Sequence, residues 1–142
     1  MIYGNIEEML ATEGVYVSTT VGVSMRPLLR SRRDTVIIEP VREKLKRFDL
    51  PLYKRDGEYI LHRIVEVTES GYVILGDNCV AKEYNVTDKD IVGVARAFYR
   101  GNVYFTAENI IYKAYSRVWY YLYPVRMKLR GLRGRLISLI RR

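Results

Sequence analysis

Ser24, His62 and Asp77 carry the groups that nucleophilic acyl transfer needs: a hydroxyl, an imidazole and a carboxylate. A serine attacks well when a base takes its proton and when peptide N–H groups stand ready for the oxyanion that forms. Ser24 is followed by Met25, Arg26 and Pro27 and preceded by VYVSTTVGV, whose β-branched and aromatic residues predict a strand. A strand end locked by Pro27 would hold the hydroxyl on rigid backbone. Gly22 would leave room for a substrate backbone, and Met25 would pack or line a substrate pocket. His62 is the single histidine. With an ordinary pKa of about 6.5, imidazole is largely neutral at pH 7 and can take a hydroxyl proton. Asp77, in the turn Gly76-Asp77-Asn78, is a carboxylate that could orient the imidazole or stabilise it once charged.

Each residue alone has an ordinary structural reading: a turn serine, a strand histidine, an aspartate satisfying its own turn. Lys54 and Lys82 are alternative bases. Cys79 is an alternative nucleophile, although a small thiol is commonly a buried packing residue. Arg63, beside His62, could pair with a nearby carboxylate. The arginines of RSRRD (residues 31–34 with Arg30 before them) read as a solvated loop.

The order of the pieces is more specific than any one of them. GVSMRP is followed, after 38 residues counted from Ser24, by LHRIV, then by LGDN and IVGVA. This order resembles the signal peptidase family and its LexA-like relatives over roughly residues 15–100. The pair His62-Arg63 resembles the histidine type of the endoplasmic reticulum and archaea, not the bacterial lysine type. The resemblance implies Ser24 as nucleophile and His62 as general base. The third member is Asp77, in the Gly-Asp-Asn box, or Glu83, six residues on, where the histidine-type enzymes carry a further acid. Gly22 stands where many signal peptidases carry an oxyanion-hole serine, so the resemblance implies a backbone-only hole from the N–H groups of Val23 and Ser24. It also implies an extended peptide substrate with small residues near the cut, a precursor or leader peptide, and no cofactor.

The elements that would position these residues follow from the pattern. Asn5 and Glu8 form a capping box for a short helix that Gly14 ends. Strands are expected at Thr35–Glu39, at the strand edge Leu50–Tyr53, at Glu58–Val67, Tyr72–Leu75, Asp90–Tyr99 and Val103–Phe105, with Asp56-Gly57 as a hairpin turn. From Ala107 the period changes: Ile111, Ala114, Tyr115, Val118, Leu122 and Val125 share a helical face. Pro124 should kink or end that helix, and Leu129, Leu132, Leu136 and Ile140 continue an amphipathic pattern. The expectation is a mainly β, LexA/signal-peptidase-like body over residues 1–106, with a short N-terminal helix, and a helical tail over 107–142.

Composition narrows the alternatives. At 142 residues and 49% hydrophobic, the chain can build one core. One cysteine and one histidine exclude a Cys/His zinc site and a disulfide framework. MIYGNIEEML predicts neither a cleaved signal nor an N-terminal span. The net charge of +8 is concentrated in the tail, where residues 109–142 hold nine Lys/Arg and no acid. The first 108 residues are nearly neutral. Trp119 and the tail tyrosines favour a bilayer headgroup region. An anionic membrane surface is therefore the expected partner of residues 109–142, and a peripheral cytoplasmic location the simpler assignment. No nucleic acid is the expected partner, a basic nucleic-acid binder acting through the tail being a third reading, and the want of a helix-turn-helix before the body argues against a LexA-like self-cleaving repressor. The competing reading is a non-catalytic peptide-binding or membrane-docking relative.

Overall fold

The computed structural model describes residues 5–141; Met1–Gly4 at the start of the expected body and Arg142 at the end of the tail lie outside the described residues. The chain opens with helix α1 (Ile6–Glu13). The Asn5 side chain accepts from the Glu8 N–H at 2.8 Å, and Gly14 closes the helix. Nine strands follow: β1 (Tyr16–Thr19), β2 (Thr35–Glu39), β3 (Pro51–Arg55), β4 (Glu58–Leu61), β5 (Arg63–Thr68), β6 (Gly71–Leu75), β7 (Glu83–Val86), β8 (Ile91–Arg100) and β9 (Val103–Thr106). Helices α2 (Ile110–Tyr121) and α3 (Tyr123–Ile140) complete the chain. The protein is mainly β, with three helices among the described residues.

The strands form two antiparallel sheets. The larger, a curled half-barrel, has the order β1-β2-β8-β3-β4, with β9 pairing the far end of β8 beyond β3. The smaller has the order β5-β6-β7. Curling turns the two end strands of the large sheet, β1 and β4, toward one another. Leu29, Val36, Ile38, Leu52, Ala95 and Phe98 are buried in its concavity with Leu10 of α1. A second cluster, with Tyr53, Ile64, Ile74, Val86 and Val94, joins the two sheets.

Three differences from the sequence pattern matter for the site. The expected strand 58–67 is two strands, because the chain leaves the large sheet after Leu61 and enters the small one at Arg63. His62 is the residue at that crossing. The expected strand before Ser24 ends at Thr19, and Ser24 sits five residues beyond it in a series of turns. There Gly22 has φ +95°, a conformation L side chains rarely adopt. The third difference is β7, which the polar, short segment EYNV did not announce. It pairs with β6, and Glu83 lies opposite Ile74.

The tail helix also turns a different face inward than the aliphatic periodicity suggests. Ile111, Val118, Leu122 and Val125 are exposed. The inward face carries Tyr112 and Ser116, both buried, with Tyr115 and Trp119 half-buried beside them. The reason is polar: this face meets a buried ion pair, which tyrosine hydroxyls can satisfy and aliphatic side chains cannot.

Candidate active site

The turn-rich segment from Thr20 to Asp34 carries Ser24, and Asp34 anchors it. Its buried carboxylate accepts from the Arg30 N–H (2.7 Å), Nε (3.1 Å) and Nη2 (3.1 Å) and from the Gly101 N–H (2.8 Å). Burial pushes this carboxyl up, but Arg30 and the two backbone donors outweigh it and hold it below the usual carboxylate range. The ends of the segment are closed by Thr20 N–H to Asp34 O (3.1 Å) and Arg32 N–H to Thr20 O (2.7 Å). Arg32 and Arg33 are exposed, as a solvated loop requires.

Ser24 and His62 line one cleft of about 490 Å³. Its floor is apolar, including Leu29, Val36 and Leu52, and its rims come from β1 and β4. Gly22 and Met25 line it too. Met25 is 5% exposed and belongs to the core, where its Sδ receives the Asp77 N–H at 3.4 Å. Gly22 is exposed and donates its N–H to Ser31 Oγ at 2.9 Å. The N–H groups of Val23 and Ser24 have no acceptor among the described residues. An oxyanion hole requires free donors that converge on one point.

Gly76 brings the Ser24 segment and His62 together. A Cβ at Gly76 would lie 2.5 Å from Cys79 Sγ, 2.9 Å from Ser24 O and 3.0 Å from His62 Cδ2. The turn is stitched to the Ser24 segment by Asn78 N–H to Ser24 O (2.8 Å) and Asn78 Nδ2 to Val23 O (3.0 Å). No hydrogen bond joins the Ser24 hydroxyl to His62 among the described residues. Cys79 Sγ lies 3.9 Å from His62 Nε2. Burial pushes the Cys79 thiol up, which disfavours the thiolate a cysteine nucleophile needs.

The two carboxylates have separate environments. Asp77 is buried in a two-point ion pair with Arg63: Nε to Oδ1 at 2.8 Å and Nη2 to Oδ2 at 2.9 Å. The Tyr115 hydroxyl donates to Oδ2 at 2.7 Å. Arg63 spends its remaining Nη1 on Phe48 O and the Tyr112 hydroxyl, each at 3.0 Å. Burial lowers the proton affinity of this guanidinium, and the Asp77 charge more than restores it. Both Asp77 oxygens are thus committed, and no hydrogen bond joins this carboxylate to His62 among the described residues. Arg63 pairs with Asp77, not Glu83.

Glu83 faces the other side of His62, through a residue the sequence pattern did not single out. Tyr53, fully buried on β3, donates its hydroxyl to Glu83 Oε2 at 2.5 Å and lies 3.4 Å from His62 Nδ1. Burial first, then Glu83 as acceptor and charge, push the phenol far up, so it remains a donor toward Glu83. The Tyr53 oxygen can then accept from His62 Nδ1–H, which leaves Nε2 as the free lone pair. Arg55 pairs with the other Glu83 oxygen. Burial pushes the imidazole below its ordinary value, and the Glu83 and Asp77 charges only partly oppose it. The shift favours the neutral imidazole at pH 7. Lys54 is instead engaged with Glu7 (3.5 Å), and Lys82 stacks over Tyr120 and Tyr123.

The tail helices clamp the same turn. Trp119 Nε1 donates to Asp77 O (2.7 Å), Arg126 Nη1 to Asp77 O (3.2 Å), and Arg130 Nη2 to Asn78 Oδ1 (2.5 Å). The tyrosine-rich helix therefore contributes to the site's scaffold. No family model matches the chain, and no curated protein matches its sequence.

Removing one partner of the buried pair leaves a charge without a counter-charge. Asp77→Asn should cost about 3–5 kcal/mol of folding stability in urea unfolding, whereas Glu83→Gln, at a half-exposed pair, should cost far less. Gly76→Ala should cost about 1–3 kcal/mol through overpacking and should shift the His62 ring resonances in a proton NMR spectrum. An unshifted ring would mean that Gly76 does not set the approach of the two segments.

Proposed function

We propose that the chain is a serine endopeptidase of the signal-peptidase type, built on a LexA-like β scaffold, that cuts an extended peptide segment. The observation that carries this reading is the meeting of the Ser24 segment and His62 across Gly76, at one cleft whose β1 and β4 rims have an unpaired edge among the described residues. An extended peptide can add to such an edge through main-chain hydrogen bonds. The apolar floor would take its small or aliphatic side chains.

In the proposed reaction the Ser24 hydroxyl attacks the peptide carbonyl and His62 Nε2 takes its proton. The oxyanion is held by the N–H groups of Val23 and Ser24. The same proton passes to the leaving amine, and a water molecule releases the acyl group from Ser24 by the reverse relay. Glu83 acts through Tyr53, which holds Nδ1 and so keeps Nε2 free. Asp77 fastens the scaffold and is not the residue that orients the ring. Closing the Ser24–His62 distance is left to substrate binding, as catalytic hydrogen bonds often tighten only in the bound complex. That missing bond also favours a second reading, a peptide-binding relative without catalysis. The two part on one experiment, because a binding module keeps peptide affinity in Ser24→Ala and never reacts with a fluorophosphonate.

Fluorophosphonate labelling should occur in the wild type and in Cys79→Ala and vanish in Ser24→Ala. Ser24→Ala or His62→Ala should each lower peptide hydrolysis by about 10⁴–10⁶-fold, with the double variant little worse. Activity within tenfold of wild type in either single variant would overturn the assignment.

The pH profile separates His62 from a lysine base. Because burial lowers the imidazole pKa, kcat/KM should rise with pH through a limb below about 6.5. Glu83 raises the His62 value, so Glu83→Gln should move the limb to still lower pH. A limb above 6.5, or one that Glu83→Gln moves upward, would contradict the roles given to both residues.

A further inference from the structure

Helices α2 and α3 form one nearly continuous rod. The Leu122 N–H bonds Val118 O and the Arg126 N–H bonds Leu122 O, so Leu122 links the two helices although the four-residue pattern is interrupted at Tyr123, Pro124 and Val125. At about 1.5 Å per residue α2 is about 18 Å long and α3 about 27 Å. The rod's inward face is spent on the body as far as Arg130. Residues 131–140 are exposed on every side.

Along the other face runs a continuous aliphatic stripe: Val118, Leu122, Val125, Leu129, Leu132 and Leu136, each 43–61% exposed. At about 100° per residue these six fall within an arc of about 80°. Arg117, Lys128 and Arg135 border the stripe on one side and Arg133 on the other. A projecting helix of this length is marginal in water by itself, and this one exposes its aliphatic residues as well. A cover for the stripe would remove both costs.

We propose that the α2–α3 rod is an interfacial anchor that lays this stripe into the headgroup region of an anionic lipid bilayer. Charge complementarity selects this occupant. Residues 109–142 hold nine Lys/Arg and no acid, so a second copy against the stripe would set cation against cation. Nucleic acid would satisfy the cations and leave the stripe in water. A bilayer surface with anionic lipid meets both, apolar residues below the headgroups and cations among them. The rod lies in the surface and does not cross it: among the described residues no helix is long and apolar enough to span a membrane. This inference is independent of the peptidase reading, because the stripe and the Ser24 cleft share no residue.

Truncation would be a poor test, since Arg126 and Arg130 hold the Asp77–Asn78 turn. Point substitutions on the stripe avoid it. The full chain should co-sediment with phosphatidylcholine vesicles containing phosphatidylglycerol, less so at high salt, and not with phosphatidylcholine alone. Leu129→Gln with Leu136→Gln should weaken that binding about tenfold or more while leaving retention on heparin unchanged. Ser138→Gln, off the stripe, should bind as wild type does. The proposal is overturned if the double variant binds vesicles as tightly as wild type, or if wild type binds heparin but not the mixed vesicles. It is equally overturned if the stripe substitutions instead dissolve a dimer of a chain that ignores vesicles.

Discussion

The buried pair between Arg63 and Asp77 is the contact on which the rest of the site depends. Arg63 is the residue after His62, and Asp77 lies between Gly76 and Asn78. The pair therefore ties the strand crossing that carries the imidazole to the turn that carries the Ser24 segment. Both charges are almost wholly removed from water, so every donor and acceptor around them must be matched. Phe48 O, the hydroxyls of Tyr112 and Tyr115, and the two point-to-point bonds do that matching. Among the described residues no buried side-chain polar atom lacks a partner. A pair so completely satisfied fixes the start of β5, the Gly76–Asn78 turn and α2 in one relative position, where a purely apolar contact would permit small slips.

This pair also accounts for where the sequence pattern succeeds and where it fails. The mainly β body, the capped first helix, the turns at Asp56-Gly57 and Gly76–Asn78 and the break at Pro124 follow from local chemistry: capping, positive φ, alternation, the missing proline N–H. Such signals need no knowledge of the rest of the chain. The split of 58–67 at His62 does not follow, because both halves alternate as strands do. What separates them is the sheet each joins, a long-range fact. Strand β7 was illegible for the same reason, since its four residues gain strand geometry from pairing with β6 and not from their own propensity.

The site divides along the same line. Ser24, His62 and the Gly-Asp-Asn turn can be picked out as residue types in order. The division of labour between the acids cannot. Asp77 and Glu83 are both carboxylates near a histidine in sequence, and only the fold gives Asp77 to Arg63 and puts Tyr53 between Glu83 and the ring. Tyr53 itself looks like one more apolar strand residue. Its hydroxyl becomes informative only once β3, β4 and β7 are seen to converge. Asp34 was hidden similarly, reading as one charge in a charged loop while closing the segment that carries Ser24.

The tail follows from the ion pair by one more step. Aliphatic periodicity ordinarily marks the inward face of a helix because burying apolar area is what holds the helix down. Here the surface to be covered contains a guanidinium and a carboxylate, and an aliphatic lid would have left hydroxyl-sized demands unmet. The helix therefore turns Tyr112, Tyr115 and Trp119 inward, where each ring supplies apolar area and each polar tip supplies a bond. Arg126 continues the logic by stacking over Trp119 while donating to the Asp77 carbonyl. With the aromatic face occupied, the aliphatic face has no place in the core and must point outward. The exposed stripe is thus a consequence of how the site is braced: one rod, two faces, the aromatic one fixed by a buried charge and the aliphatic one released by it.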